Sequence, residues 1–253
     1  MNVEKYLRRI HLTDTPLPNE ETLVRIHEHH LLHVPFGNID IHFKRKLSLD
    51  ENDLFEKIIN QRREGFCYEL NHLFHLLLAE LGFESRMISC RIFTSEGFVG
   101  PEFDHMAIIV DLKSQWLLDA GFGDLFIHPL ELIENKVQFD GRNYFKIESD
   151  DILGYILHMS ANGSDFEKKY SFTLTAKSIK DFESSCIDKQ IHPDSYFVQN
   201  TICTLPTQKG RMTIFNSKLI EKENELRTDT EIGNEDHLIE ILRSKFGIDV
   251  PQL

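Results

Sequence analysis

Residues 63–74 read REGFCYELNHLF: a glycine-aromatic turn, a cysteine, and then apolar side chains recurring at helical spacing. A helix that begins near Cys67 and stops at Gly82 holds that sulfur at the positive end of its macrodipole, beside backbone N–H groups with no partner inside the helix. Both features favour thiolate over thiol, which suits a nucleophile. The same N–H groups suit the negative oxygen of a tetrahedral intermediate at an acylated sulfur. Against this stands the common role of a lone cysteine as a small buried hydrophobe. Position alone does not make Cys67 reactive.

Upstream of that stretch the apolar period is helical. VEKYLRRI (3–10) forms one segment, and NEETLVRIHEHHLLH (19–33) a second behind Pro16 and Pro18, with Asn19 as its N-cap and Glu20 and Glu21 in its first turn. A third, DENDLFEKIINQ (50–61), is capped by Asp50. Between the last two, HVPFGNIDIHFKRK (33–46) contains Pro35 and Gly37, which interrupt regular helix and leave an aromatic-bearing loop. Downstream of Gly82 the period changes to two. SRMISCRIF, HMAIIVDL, QWLLDAGF, NYFKIE, YILHMS and KYSFTLTA all read as strands. From about residue 178 the pattern mixes again: SIKDFESSCID is helical, TICTLPTQKGRMTIF a hairpin, and DHLIEILRSKFG a closing amphipathic helix. No repeat or low-complexity linker separates these parts. The fold class expected is α+β, with residues 1–83 helical and carrying the cysteine, 84–177 β, and 178–253 mixed, packed into one body.

Composition narrows the function. With 253 residues the chain can bury a sizeable core, and Lys+Arg 28 against Asp+Glu 41 gives a net charge of -13. That charge repels phosphate backbones and anionic headgroups, so neither nucleic acid nor a membrane surface is expected as partner. The start MNVEKYLRRIHLTD lacks the apolar core of a signal peptide, and no run approaches the roughly 18 apolar residues of a span. A cytoplasmic protein is expected. Cysteines 67, 90, 186 and 203 are too few and too scattered for a disulfide scaffold, and no CxxC pair suggests zinc, so free thiols are expected.

A catalytic thiol needs a base with a carboxylate behind it. His105 opens HMAIIVDL and Asp119 lies near the end of QWLLDAGF, two strands that a short turn makes adjacent and antiparallel. Parity decides whether they meet. A two-residue turn at Lys113 and Ser114 sets Asp119 opposite Ile108 and turns His105 to the other face. An odd-length loop or a bulge sets Asp119 opposite Ala107, with His105 on the same face about 7–8 Å away diagonally. A triad therefore requires an irregular hairpin. Taken singly, Asp119 reads as a turn residue beside Gly121 and His105 as a strand-edge histidine.

Other clusters carry less. HEHHLLH (27–33) fails the HExxH pattern because position 31 is Leu, and His29 with His33 gives two ligands without a third, so no metal is expected. Neither GxGxxG nor a Walker loop occurs, which leaves nucleotide-binding folds without support.

The order R-x-G-F-C-Y-E-x-N, then a histidine at a strand start, then W-x-x-D-A-G-F-G, resembles the arylamine N-acetyltransferases, and VPFGNIDIH matches that family's proline-phenylalanine loop. The resemblance is strongest over residues 34–129, and a chain closing at Leu253 is more similar to bacterial-type members. It implies a helical bundle, a central antiparallel β-barrel and a C-terminal α/β lid around a cysteine-protease-like core. It further implies Cys67 as nucleophile, His105 as base and Asp119 as the residue orienting the imidazole. Acetyl-CoA would be co-substrate in ping-pong acetyl transfer to arylamines, arylhydrazines or N-hydroxyarylamines. Phe36, Ile92, Phe122 and Phe126 would line the acceptor pocket, and Thr207, Lys209 and Arg211 are the candidate coenzyme contacts. Two positions depart from the family pattern: Gly37 stands where it has glutamate, and Glu64 where it has glycine. Arg63 thereby loses its expected partner, and Glu64 is a candidate replacement. A cysteine hydrolase or transglutaminase-like enzyme with the same triad, or a binding module with a structural thiol, are the alternative readings.

Overall fold

The structure is a computed structural model that describes residues 1–14 and 17–249. Pro16, read above as part of the break before the second helix, lies outside the described residues, as does Leu253. Helix α1 (Val3–Arg9) is capped by the Asn2 side chain, and α2 (Glu20–His33) by Asn19, which accepts the Thr22 N–H at 2.9 Å. The stretch read as loop after α2 instead forms a two-residue strand, β1 (Phe36–Gly37), and a single-turn helix, α3 (Ile39–His42). Asp50 caps α4 (Glu51–Leu54), which continues as a π-helical turn over Phe55–Asn60. Helix α5 (Cys67–Glu80) begins at the cysteine and is buried along most of its length.

The β region holds β2 (Glu84–Ile92), β3 (His105–Asp111), β4 (Gln115–Leu118), β5 (Leu130–Glu131), β6 (Gln138–Phe139), β7 (Tyr144–Asp150), β8 (Gly154–Ser160) and β9 (Glu167–Phe172). They form one antiparallel sheet in the order β5-β4-β3-β2-β9-β8-β7-β6, curled into a nearly closed barrel. The edge strands are joined by a side chain: Gln138 accepts the Glu131 N–H and donates to the Glu131 carbonyl, both at 2.9 Å. Strand β3 is buried on both faces, a continuous apolar run with Ala107 and Ile109 toward the barrel interior and Met106, Ile108 and Val110 toward α5. Two strands are shorter than their sequence pattern. β4 ends at Leu118 rather than running to Phe122, and β9 ends at Phe172.

After a 3-10 turn at Ile179–Phe182 come α6 (Glu183–Ile191) and α7 (Tyr196–Gln199), then the meander β10 (Ile202–Thr207), β11 (Gly210–Phe215), β12 (Lys218–Glu223) and β13 (Leu226–Glu231), and α8 (Glu235–Phe246). Gly247 ends α8 in the left-handed conformation, φ 65. β1 joins this meander as its inner edge, with Phe36 opposite Thr204 and Gly37 opposite Cys203. Residues from the two ends of the sequence thus share one sheet. Among the described residues no helix is long and apolar enough to cross a membrane.

The early end of β4 has a steric cause. The chain leaves the sheet to pass against the start of α5, and a Cβ on Gly121 would lie 2.6 Å from the Cys67 carbonyl oxygen and 2.8 Å from its Cα. Only glycine permits that approach. Gly121→Ala should therefore overpack this seam by about 1–3 kcal/mol. The check is a melting temperature several degrees below wild type, with near-wild-type helix content in the far-ultraviolet spectrum.

Candidate active site

The β3–β4 hairpin has the irregularity that a triad requires. Ile108 pairs with Leu118 and Asp111 with Gln115, which leaves a three-residue loop at 112–114. Continued by one pair, this register sets Asp119 opposite Ala107 and on the same face as His105. The two side chains meet: His105 Nε2 and Asp119 Oδ2 are 2.7 Å apart, and both residues are buried. A carboxylate only accepts, so Nε2 carries the proton and Nδ1 is the bare ring nitrogen. Asp119 Oδ1 in turn accepts from the Gly121 N–H at 3.0 Å and from Asn71 Nδ2 at 3.2 Å.

Asn71 lies one turn beyond Cys67 on the same face of α5. Its amide also donates to the Met106 carbonyl at 2.7 Å, and its oxygen accepts the Ala120 N–H at 2.8 Å. His27, on α2, accepts the Asp119 N–H at Nε2 and donates from Nδ1 to the Ile127 carbonyl. That assignment needs a neutral ring, and burial lowers the His27 pKa to about 4. Asn71 closes the R-x-G-F-C-Y-E-x-N motif, which marks its type but gives it no role, and His27 is one histidine of a histidine-rich run with no mark of its own.

Cys67, 4% exposed, lines a cavity of about 900 Å³ together with His105. Burial pushes its thiol pKa up, while the Lys189 ammonium and the Tyr68 N–H pull the other way. Of the predicted pocket residues, Phe36, Ile92 and Phe122 line this cavity, and the Phe122 ring stands edge-on to His105 with centroids 5.2 Å apart. Phe126 does not. It is 1% exposed, stacked on His27 and edge-on to Phe145 in the barrel core, because the chain beyond Gly123 folds back under the sheet. Phe93 and Phe197 add aromatic wall that the motifs gave no sign of; Phe197 packs edge-on against Phe66 at 4.6 Å.

The coenzyme candidates are dispersed. Thr207 and Gly210 close the two-residue turn of the β10–β11 hairpin, and Lys209 at its exposed tip lies 3.6 Å from Glu223. Among Thr207, Lys209 and Arg211, only Arg211 lines the cavity. Its guanidinium donates to the Gly123 carbonyl and, at 3.1 Å, to Thr204 Oγ1, and burial lowers its pKa to about 10.

Beneath the start of α5 lies a buried ionic cluster. Arg63 Nη2 is 2.6 Å from Asp40 Oδ1 and 3.3 Å from Glu64 Oε1, so Asp40 is its nearer partner and Glu64 a second one. Lys57 bridges Asp40 at 2.8 Å and Glu69 at 2.7 Å, and Glu69 accepts the Phe66 N–H at the helix start. Burial opposes the Lys57 charge, yet Glu69, Glu64 and Asp40 together hold its pKa above the usual lysine value. Gly37 leaves room for this arrangement, since a Cβ there would lie 2.8 Å from Glu64 Cγ.

The chain is similar to known proteins over nearly its whole length. The chain is 28% identical over 273 residues to the chicken arylamine N-acetyltransferase, pineal gland isozyme NAT-3, covering 98% of this chain and 94% of that one. It is 28% identical over 280 residues to human arylamine N-acetyltransferase 1, covering 99% and 95%. Its fold matches that of the arylamine N-acetyltransferase from Salmonella typhimurium with a TM-score of 0.93 at 25% identity, over 99% of this chain and 92% of that one. A family model described as N-acetyltransferase matches residues 20–253, and the chain belongs to that family.

Proposed function

We propose that the enzyme carries an acetyl group from acetyl-CoA, through a thioester on Cys67, to the nitrogen of an arylamine, arylhydrazine or N-hydroxyarylamine. The observation that carries this reading is the Cys67 sulfur at the wall of an aromatic cavity that it shares with a His105 whose far nitrogen is held by Asp119. In the first half-reaction Nδ1 of His105 takes the thiol proton as sulfur attacks the thioester carbonyl. The free N–H groups at the start of α5 stabilise the oxyanion. The bond from carbonyl carbon to coenzyme sulfur then breaks, and CoA leaves with the proton from the imidazolium. In the second half-reaction the amine nitrogen attacks acetyl-Cys67, its proton passes to His105, the bond from acetyl carbon to the Cys67 sulfur breaks, and the imidazolium returns the proton to that sulfur. Phe36, Ile92 and Phe122 suit an aryl ring and limit access of water to the acyl enzyme. All four cysteines are free thiols, as a reducing compartment keeps them, and a cytosolic setting belongs to the same proposal.

Acetyl-CoA without amine should add one acetyl group to Cys67, and an aromatic amine or hydrazine should then remove it as the N-acetyl product. Intact-mass spectrometry with peptide mapping reads both halves. Acetyl on Cys90, Cys186 or Cys203 would sink the choice of nucleophile, and rapid loss in buffer alone would favour a hydrolase.

Asp119→Asn should fold but lose acetyl transfer by about 10³–10⁴ in rate. With its oxygen still accepting from Gly121, the amide nitrogen faces Nε2 and drives the ring proton onto Nδ1, the nitrogen needed as base. Turnover within tenfold of wild type removes Asp119 from the mechanism.

Phe122→Ala should leave acetylation of Cys67 by acetyl-CoA largely intact and weaken discrimination among arylamines, since the ring supplies no reacting group and meets His105 only edge-on, while Asp119 still holds the imidazole. Stopped-flow measurement of the two half-reactions separates the effects; equal loss in both points to a collapsed wall.

A further inference from the structure

The C-terminal sheet carries a pairing that sheets normally avoid. The register sets Arg211 of β11 opposite Lys222 of β12, and Lys222 opposite Arg227 of β13. Three cations thus stand in line across three strands, where like charges directly opposite are destabilising. All three line the cavity that holds Cys67. In a chain of net charge -13 such a row is not a by-product of basic composition. A local rule broken at a cavity wall is the kind of conflict that a ligand relieves.

The row beside it is neutral over most of its length. Phe36, Thr204, Thr213 and Ile220 follow one another in register across β1, β10, β11 and β12, and all four line the cavity; Asp229 on β13 closes the row. Strands lie about 4.8 Å apart, so the five-stranded wall runs about 19 Å from the Phe36 edge to β13. It begins with an aromatic ring on the wall shared with Cys67 and ends in cations.

The three cations are differently engaged. Arg211 is committed to the Gly123 carbonyl and Thr204. Arg227 is clamped by Asp229 at 2.7 and 2.8 Å, but at the exposed rim, where water screens the pair and the clamp can be exchanged. Lys222 is exposed and makes no ion pair among the described residues. The acids that flank it on β12 are turned away: Glu221 meets Lys245 of α8 at 2.8 Å, and Glu223 faces Lys209 at 3.6 Å.

We propose that Lys222, with Arg227 beside it, binds the phosphates of the coenzyme A donor, while Arg211 anchors the inner loop. This rests on the acetyl-CoA reading above and names the residues that receive its anionic end. The chemistry matches along the length of the ligand. The thioester lies at Cys67, the uncharged pantetheine arm follows the neutral row, and the diphosphate and 3′-phosphate reach the cations. An ammonium with three free donors binds phosphate oxygens through charge-assisted hydrogen bonds.

Calorimetric titration of CoA, 3′-dephospho-CoA and pantetheine into the purified protein tests the assignment. Lys222→Gln should weaken CoA binding about tenfold and leave pantetheine binding unchanged, because one charge-assisted hydrogen bond is lost and the uncharged arm is untouched. Lys222→Gln combined with Arg227→Gln should weaken CoA further and flatten the dependence of its affinity on salt. Lys218→Gln is the control: the same strand and charge, paired with Glu231 and outside the cavity, with CoA affinity unchanged. Wild-type affinity for CoA in the double variant overturns the assignment, as does an equal loss for CoA and pantetheine. If the wild type neither binds CoA nor takes up acetyl on Cys67, the acetyl-CoA reading falls as well; acetylation at Cys67 with unaltered CoA affinity in the variants overturns this assignment alone.

Discussion

Asn71 uses every polar atom of its carboxamide across the seam between helix and barrel. Its oxygen takes the Ala120 N–H, and its nitrogen serves the Met106 carbonyl and the Asp119 carboxylate. All of these groups are buried, so each lost partner would leave a desolvated donor or acceptor costing about 1–3 kcal/mol. The consequence is geometric. Cys67 and Asn71 share one face of α5, Met106 follows His105, and Ala120 follows Asp119; one side chain therefore sets the distance between nucleophile, base and carboxylate. The glycine at 121 is the steric counterpart of that clasp, since the loop can approach the helix only where no Cβ intervenes.

A second constraint acts from below. The start of α5 is not capped by a serine, threonine or aspartate; Phe66 occupies that position, and the Phe66 N–H is taken by Glu69 from within the helix. Glu69 is buried, and its charge is tolerable only because Lys57 reaches it, just as Lys57 and Arg63 reach Asp40. Glu64 enters this cluster through space that Gly37 leaves open. Positions 37 and 64 are thus sterically linked: a carboxylate arrives from position 64 where a side chain at 37 would collide with it. The turn that presents Cys67 remains tied down by charge, with Asp40 as its closest anion.

What was legible in the sequence follows from how local each feature is. Helices α1, α2 and α5, with their Asn19 cap and Gly82 stop, are written in residues a few positions apart, and so is the change to period two after Gly82. The pairing of His105 with Asp119 was also legible as a condition, because side-chain parity in a hairpin depends only on loop length. Features that depend on distant chain were not. Phe36 and Gly37 lack the length and alternation of a strand, and become one only because Thr204 and Cys203 arrive beside them. Phe126 carries the same composition signal as Phe122, yet four residues of chain take it from the cavity wall into the core. The TQKGR turn looked like a phosphate site by its residue types, whereas strand pairing sends Lys209 outward and aligns Arg211 with Lys222 and Arg227, two residues with no local mark of function.

Burial alone does not separate Cys67 from the other thiols. All four cysteines are buried, and burial pushes the pKa of each one up. A thiolate resting in such surroundings would be costly, so the difference must lie in where the proton can go. Cys90 stands directly opposite His105 on the β2–β3 ladder, but it is sealed inside the barrel and lines no part of the cavity. Cys186 and Cys203 line no part of the cavity. Cys67 alone combines a helix start, a histidine in the same cavity whose free nitrogen is fixed by Asp119, and the Lys189 ammonium opposing the effect of burial. The dry surroundings that disfavour the thiolate at rest also strengthen each charge interaction formed as the proton moves to the imidazole. They further keep water from the thioester that results, which is the property an acyl-transferring cysteine needs and a hydrolytic one does not.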